Sequence, residues 1–349
     1  MQGGDVIMMK GSGRAFVTRL GSFFVTFAAL VAGTATASAA ETTEFRVARQ
    51  PGLVYLQQVI MQEKRLVEKH AAALGLADVK MTWTIITSGG VMTDVLLSGS
   101  IDIATTGISN MLLTWGKTNG GVKAVTAVAG LPQYLVTRNP NVKTIKDFGP
   151  GDRIAVPTVR ASMQAMILGM ALEQTYGPGQ HGKLDDLQVQ MGHPDAVQAV
   201  LNPSHEVNSH FSIPPYYEIE LKSPLVHAVL DSRNVLGGTA SITNSWATQK
   251  FVDANPLKIK AYIAALDEAS EMIAKDPKGA AELYLAVTKE KISVDELAAL
   301  MTQPGASFSA APQRSMLYAD YMYRIGMVKT KATSWKDYFF PMILDRPGS

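Results

Sequence analysis

The chain has 349 residues, 47% hydrophobic and 18% charged, with no cysteine; these are the proportions of a globular protein with chain enough for two cores, not of a disordered or fibrous one. Its formal charge of +2 sits in residues 1–40, where Lys10, Arg14 and Arg19 face Asp5 alone, so the rest is balanced and offers nucleic acid nothing. Without cysteine there are no disulfides, thiolate metal sites, cysteine nucleophiles or lipid-modified N-terminal cysteines.

Lys10 to Arg19 is a basic n-region, Leu20 to Val31 an apolar run, and Ala37-Ser38-Ala39-Ala40 a small-residue cleavage site. The apolar run is shorter than the ~20 residues a membrane span needs. Residues 1–40 are therefore expected to be a secretory signal peptide, with the mature chain starting near Glu41. An exported protein lacking a lipid anchor needs an enclosing compartment, and a periplasm is expected.

From Glu44 short β-branched runs alternate with longer helical patterns, the signature of an α/β protein with a largely parallel sheet. Phe45 to Ala48 reads as a strand, Leu53 to Leu74 as a helix stopped by Gly75, and Val79 to Ile86 as a strand with Val79, Met81, Trp83 and Ile85 inward. Val91 to Leu97 is a helix and Ile101 to Ala104 a third strand, followed by the polar cluster Thr105 to Asn110. Val122 to Val128 and Tyr134 to Thr137 are strand-like around Gly130-Leu131-Pro132, and a crossover to a second unit is placed there. That unit repeats the logic: strands over 153–156, 187–191 and 207–211, with helices over 162–176 and 195–201. After strand-like runs at 226–230 and 239–243 the pattern is helical to the end, with Asn255-Pro256, Asp276-Pro277 and the capping box Ser293-Val-Asp-Glu296 as helix starts.

Nucleophile-elbow, P-loop, zinc-protease, EF-hand and dinucleotide motifs are all absent as ordered strings, so catalysis is not expected. His193, His205 and His210 lie near one another in sequence, but at a spacing that matches no ligand pattern; no metal and no cofactor is expected.

The segments behind the strands are more informative. Gln50 to Tyr55, Thr87-Ser88-Gly89-Gly90, Thr105-Thr106-Gly107 and Pro157 to Ser162 are loops of small hydroxyl and glycine residues. In open α/β sheets such loops line the ligand crevice, and the helices after them point free N–H groups into it. Ser, Thr and Gly also serve simply as helix caps. No Asp or Glu falls within Gln50 to Tyr55, Ser88 to Thr93, Thr105 to Asn110 or Thr158 to Gln164, and that coincidence favours a site that binds through N–H donors and hydroxyls. Its candidates are Gln50, Tyr55, Ser88, Gly89, Gly90, Thr105, Thr106, Gly107, Thr158, Arg160 and Ser162. Arg160, a cation near a helix start, reads either as an anion clamp or as a solvated rim residue; Arg49, just past the first strand, could do the same job but is expected rather to face solvent.

Ser88-Gly89-Gly90 before a short helix, Leu97-Ser-Gly-Ser-Ile-Asp-Ile-Ala104, Val142-Lys-Thr-Ile-Lys-Asp-Phe148 and Arg153-Ile-Ala-Val-Pro157 resemble the solute-binding proteins of ABC importers. The group most similar is that for nitrate, taurine, aliphatic sulfonates and thiamine-pyrimidine precursors, and the resemblance spans most of residues 45–275. It implies a type II periplasmic binding protein fold, two α/β lobes with a hinge and a ligand cleft between them. Lobe 1 would be residues 41–133 plus 240–349, and lobe 2 residues 134–239. The implied function is capture of a small anionic or polar organic solute (sulfonate, nitrate, carboxylate or pyrimidine-like) for an ABC permease in the inner membrane, by a monomer. A sensor of the same build would have the same sequence, whereas the pyrimidine-precursor synthases on this scaffold use a cysteine-rich iron motif absent here. Where relatives often carry a "vDA" strand, this chain has Val207 to Tyr216, so His210, Phe211 and Tyr216 are expected either to shape a different pocket or to pack in the core.

Overall fold

The structure, a computed structural model, describes Glu41 and residues 43–349; the expected signal peptide lies outside them. The chain first lays down β1 (Glu44–Arg49), β2 (Lys80–Ile85), β3 (Ile103–Gly107) and β4 (Val122–Gly130). It crosses to a second sheet of β5 (Tyr134–Thr137), β6 (Ile154–Val156), β7 (Gln188–Gln190), β8 (Ser209–Ser212) and β9 (His227–Asp231), then returns with β10 (Thr243–Thr248) and β11 (Ser307–Phe308). In the first sheet, ordered β11-β4-β10-β3-β1-β2, β1 is parallel to both neighbours and β10 antiparallel to both of its own. The second, β7-β6-β8-β5-β9, has β6 parallel to β7 and β8, and β5 antiparallel to β8 and β9.

Helices follow the parallel strands: α1 (Leu56–Glu63), α2 (Leu66–Ala73), α3 (Gly89–Leu97), α4 (Ile108–Lys117), α5 (Met163–Tyr176), α6 (His193–Leu201) and α7 (Tyr216–Leu221). Ser88 and Ser162 cap α3 and α5 by accepting from Val91 and Ala165 N–H. On the first sheet, Phe45 and Val47 of β1 are fully buried, and Phe45 stacks on Phe251 and meets the edge of Tyr262 from the helix Pro256–Lys275.

Several elements differ from the sequence reading. The helix expected over 53–74 is a 3-10 turn at Leu53–Tyr55 followed by α1 and α2, broken where Arg65 turns left-handed. Ile85, expected inward, is 58% exposed because β2 is an edge strand with no neighbour beyond it. The third strand does not end at Ala104: Thr105 pairs with Arg49 and Ser245, and Gly107 with Thr243, so half the polar cluster lies inside the sheet. The run at 239–243 proves to be a crossover into β10, whose polar residues Asn244 and Ser245 hid it. Past the helix Val294–Thr302 the chain is not uniformly helical, since β11 joins the first sheet.

The two crossovers touch. A Cβ at Gly130 would collide with the backbone carbonyl of Ala240, so only glycine lets them lie side by side. Beside them the backbone N–H of Gln133 donates to Ser232 Oγ and the Ser232 N–H donates back to the Gln133 carbonyl, both at 2.9 Å.

Candidate ligand site between the two sheets

Helices α3, α4, α5 and α6 each begin directly behind the carboxyl end of a strand, β2, β3, β6 and β7 in turn. The first N–H groups of a helix have no partner within it and carry the positive end of its dipole. Gly89, Gly107, Met163 and His193, one from each start, line a single cavity. It holds about 340 Å³ of space between atoms, mouth included. The walls are closed on each other: Ser109 Oγ donates to the Ala161 carbonyl at 2.7 Å, and Gln190 Nε2 donates to Ser88 Oγ at 3.3 Å.

The first-sheet wall is ordered by Gln50. Its Nε2 donates to the Thr87 carbonyl at 2.8 Å, which turns Oε1 toward the Tyr55 and Thr106 hydroxyls, donating at 2.9 and 2.6 Å. Burial pushes the Tyr55 phenol up, so it stays a donor. The opposite wall brings Thr158, Gln164 and His193. Burial, then the nearby His210, holds the His193 imidazole well below the usual range, so it is neutral at ordinary pH. Between the walls the crossover contributes Gln133, 1% exposed, with both amide atoms lacking a hydrogen-bond partner. The Thr158 hydroxyl is also buried and without a partner. No Asp, Glu, Lys or Arg is among the described residues lining the cavity.

No protein-family model and no curated protein matches the chain. Solved structures do. The alkanesulfonate-binding protein SsuA from Xanthomonas axonopodis pv. citri bound to MOPS aligns with TM-score 0.68 at 15% identity, over 86% of this chain and 99% of its own. The Candida albicans CA3427 gene product, described as having the generic periplasmic binding protein fold, aligns at 0.63 and 13%, over 86% and 96%. The periplasmic nitrate-binding protein NrtA from Synechocystis PCC 6803 gives 0.63 and 15%, over 84% of each chain. The chain has the periplasmic-binding-protein fold. Of these neighbours, SsuA is an alkanesulfonate-binding and NrtA a nitrate-binding protein.

In such a fold the crevice at strand ends is where solutes sit, and seven of the sequence candidates line it: Gln50, Tyr55, Gly89, Thr106, Gly107, Thr158 and Ser162. The others are placed elsewhere. Ser88 caps α3 and meets Gln190, while an added Cβ at Gly90 would meet Ser88 Oγ at 3.7 Å and Thr158 Cγ2 at 4.0 Å, ordinary contact distances. Thr105 points to the opposite face of the sheet, where its hydroxyl meets Gln58 and Ser245. Arg160 is not in the cavity: its left-handed backbone swings the guanidinium outward onto Asp185 at 3.0 Å and Asp186 at 3.3 Å. With its charge already answered there, an anion clamp at Arg160 has no geometric basis. Phe211, in β8, is fully buried in the hydrophobic core. His210 and Tyr216 stand behind His193, His210 at 2.7 Å ring nitrogen to ring nitrogen and Tyr216 stacked at a 6.0 Å centroid distance.

Arg49, expected in solvent, is 4% exposed and forms no ion pair among the described residues, because it shares the inner face of β1 with Phe45 and Val47. Gln133, Asn110, Gln164 and His193 line the site and were not singled out for it. Asn110 and Gln164 lie inside the acid-free stretches that marked the loops. Gln133 left no local signal, since its place depends on where the two crossovers meet.

Proposed function

We propose that this chain is the periplasmic solute-binding component of an ABC importer, capturing a small anionic or polar organic solute (sulfonate, nitrate, carboxylate or pyrimidine-like) and presenting it to an inner-membrane permease, without catalysing a reaction on it. The observation that carries this reading is the pair of buried, unpartnered groups at the cavity, the Gln133 amide and the Thr158 hydroxyl. A buried polar group left unmatched costs about 1–3 kcal/mol, and a solute with complementary atoms removes that cost. Four helix starts supply further N–H donors, so acceptor atoms on the solute are favoured even though no cationic side chain faces them.

Lobes divided at 133/134 and 239/240 are supported by sheet membership, with β5 to β9 on one side and the remaining strands on the other. No helix among the described residues is long and apolar enough to cross a membrane. The test is a thermal-shift screen of the chain from Glu41 against sulfonates, nitrate, carboxylates and pyrimidines. A ligand present at a hundred times its Kd stabilises by about 2.7 kcal/mol, an easily read shift; silence from all four classes refutes the reading.

A further inference from the structure

Behind the cavity wall stands a buried chain of three titratable groups. His193 Nδ1 lies 2.7 Å from His210 Nε2, and His210 Nδ1 lies 2.8 Å from Glu220 Oε1. His210 and Glu220 are fully buried, and Glu220 Oε2 has no hydrogen-bond partner. Two ring nitrogens this close must share a proton; a metal between them, with bonds of about 2.0–2.1 Å, would hold them well beyond that distance.

Two proton counts satisfy the geometry. In one, His210 donates its Nδ1–H to the carboxylate and accepts at Nε2 from His193 Nδ1–H, leaving a bare His193 Nε2 toward the cavity. In the other, with one more proton, His210 Nε2–H donates to His193, and the proton between Nδ1 and Glu220 Oε1 rests either on the carboxyl or on His210, which is then an imidazolium donating at both ends. His193 then accepts at Nδ1 and carries its single proton on Nε2. A fully buried carboxylate is costly unless a cation answers it, and His210 is the group in contact with it. His193 cannot take that role, because it opens α6, where the positive end of the helix dipole opposes a cation.

The neighbouring strands and the start of α5 bring no charge, whereas Tyr216, stacked on His193, hydrogen-bonds to Glu290 and lies near Arg49. Across the sheet β5 contributes Tyr134-Leu-Val-Thr137, β6 Ile154-Ala-Val156, and the first two turns of α5, Met163 to Met170, are uncharged. From α7 come Glu220 itself, the stacked Tyr216 and the half-buried Glu218, whose carboxyl is held up by burial and by Glu296. On α6, Asp195 is exposed.

We propose that Glu220, acting through a charged His210, fixes His193 as an Nε2–H donor to the cavity, making His193 the residue that selects for an acceptor atom, oxyanion or carbonyl, at this wall. His210 and Glu220 are positioning residues. The idea rests on the cavity being the solute site, but its test is read on solute-free protein, so the two fail separately.

The experiment is long-range proton–nitrogen correlation NMR of the full chain with ¹⁵N-labelled histidine near neutral pH, with signals assigned through His193→Gln and His210→Gln. The expected spectrum shows His210 protonated on both nitrogens and His193 protonated on Nε2 alone, and Glu220→Gln removes the doubly protonated pattern. A His193 proton on Nδ1, a neutral His210 or a doubly protonated His193 overturns the proposal. If Glu220→Gln fails to fold, the wild-type spectrum decides alone.

Discussion

Gly107 closes β3 and begins the turn into α4 with φ −58° and ψ 142°, a conformation open to any residue. What requires glycine is the opposite wall: an added Cβ would sit 2.6 Å from Met163 Cγ and 3.4 Å from Met163 Cβ. Carbon atoms prefer roughly 3.5–4.0 Å, so about an ångström must be found. Met163 offers little of it, being the buried first residue of α5 with Cγ close to the backbone. Overpacking of this kind costs typically 1–3 kcal/mol, and because Gly107 lies in the first sheet while Met163 opens the helix that follows β6 of the second, parting the walls relieves it. Gly107→Ala should therefore penalise the closed arrangement and spare the fold. At 1.4 kcal/mol per decade, solute affinity by calorimetry falls about 5- to 150-fold while the solute-free melting temperature stays put. Gly90→Ala is the control, since its Cβ meets nothing nearer than 3.7 Å. Unchanged affinity in Gly107→Ala, or a solute-free melting temperature that falls with it, refutes the reasoning.

Gln133→Leu removes an amide with no partner on either atom, so solute-free stability in a urea titration should rise by about 1–3 kcal/mol while solute-induced stabilisation is lost. Arg160→Ala should leave solute affinity within about twofold, because the exposed pair with Asp185 and Asp186 contributes little and lies outside the cavity; a tenfold loss by calorimetry would restore the clamp. Stability should fall as pH drops below about 6.5, because unfolded His193 takes a proton that the folded ring, held low by burial and His210, refuses. The slope from this site is up to about 1.4 kcal/mol per pH unit, and denaturant titrations of His193→Gln should show it flattened.

The alternation of period-2 and period-3.6 segments was legible because it is local: Phe45 and Val47 point one way, and a capping serine such as Ser162 precedes its helix whatever lies opposite. The loops at strand ends were legible for the same reason. Side-chain direction inside those loops was not. Thr105 and Thr106 are adjacent and chemically alike, yet one pairs with Gln58 and Ser245 on the far face and the other with Gln50 at the cavity. The choice follows from the strand running on to Gly107, a pairing with β10 contributed by residues about 140 positions later. Arg160 shows the same limit, since its aspartate partners lie in a different segment and only the fold brings them to it.

The absence of any charged side chain from the cavity wall also bears on how capture drives closure. To move an open–closed equilibrium from 1:99 to 99:1, a solute must favour the closed form by about 5.5 kcal/mol. With the walls shut, three polar atoms at this cavity, the two of the Gln133 amide and one of Thr158, have no hydrogen-bond partner within the protein, which costs about 1–3 kcal/mol each where nothing else answers them. Opening admits water to them, and a matching solute satisfies them with the walls shut. Their summed cost, about 3–9 kcal/mol if additive, brackets the requirement. A buried arginine at the same wall would tighten binding of any anion, whereas unpaired neutral groups make closure depend on a solute whose donors and acceptors fit.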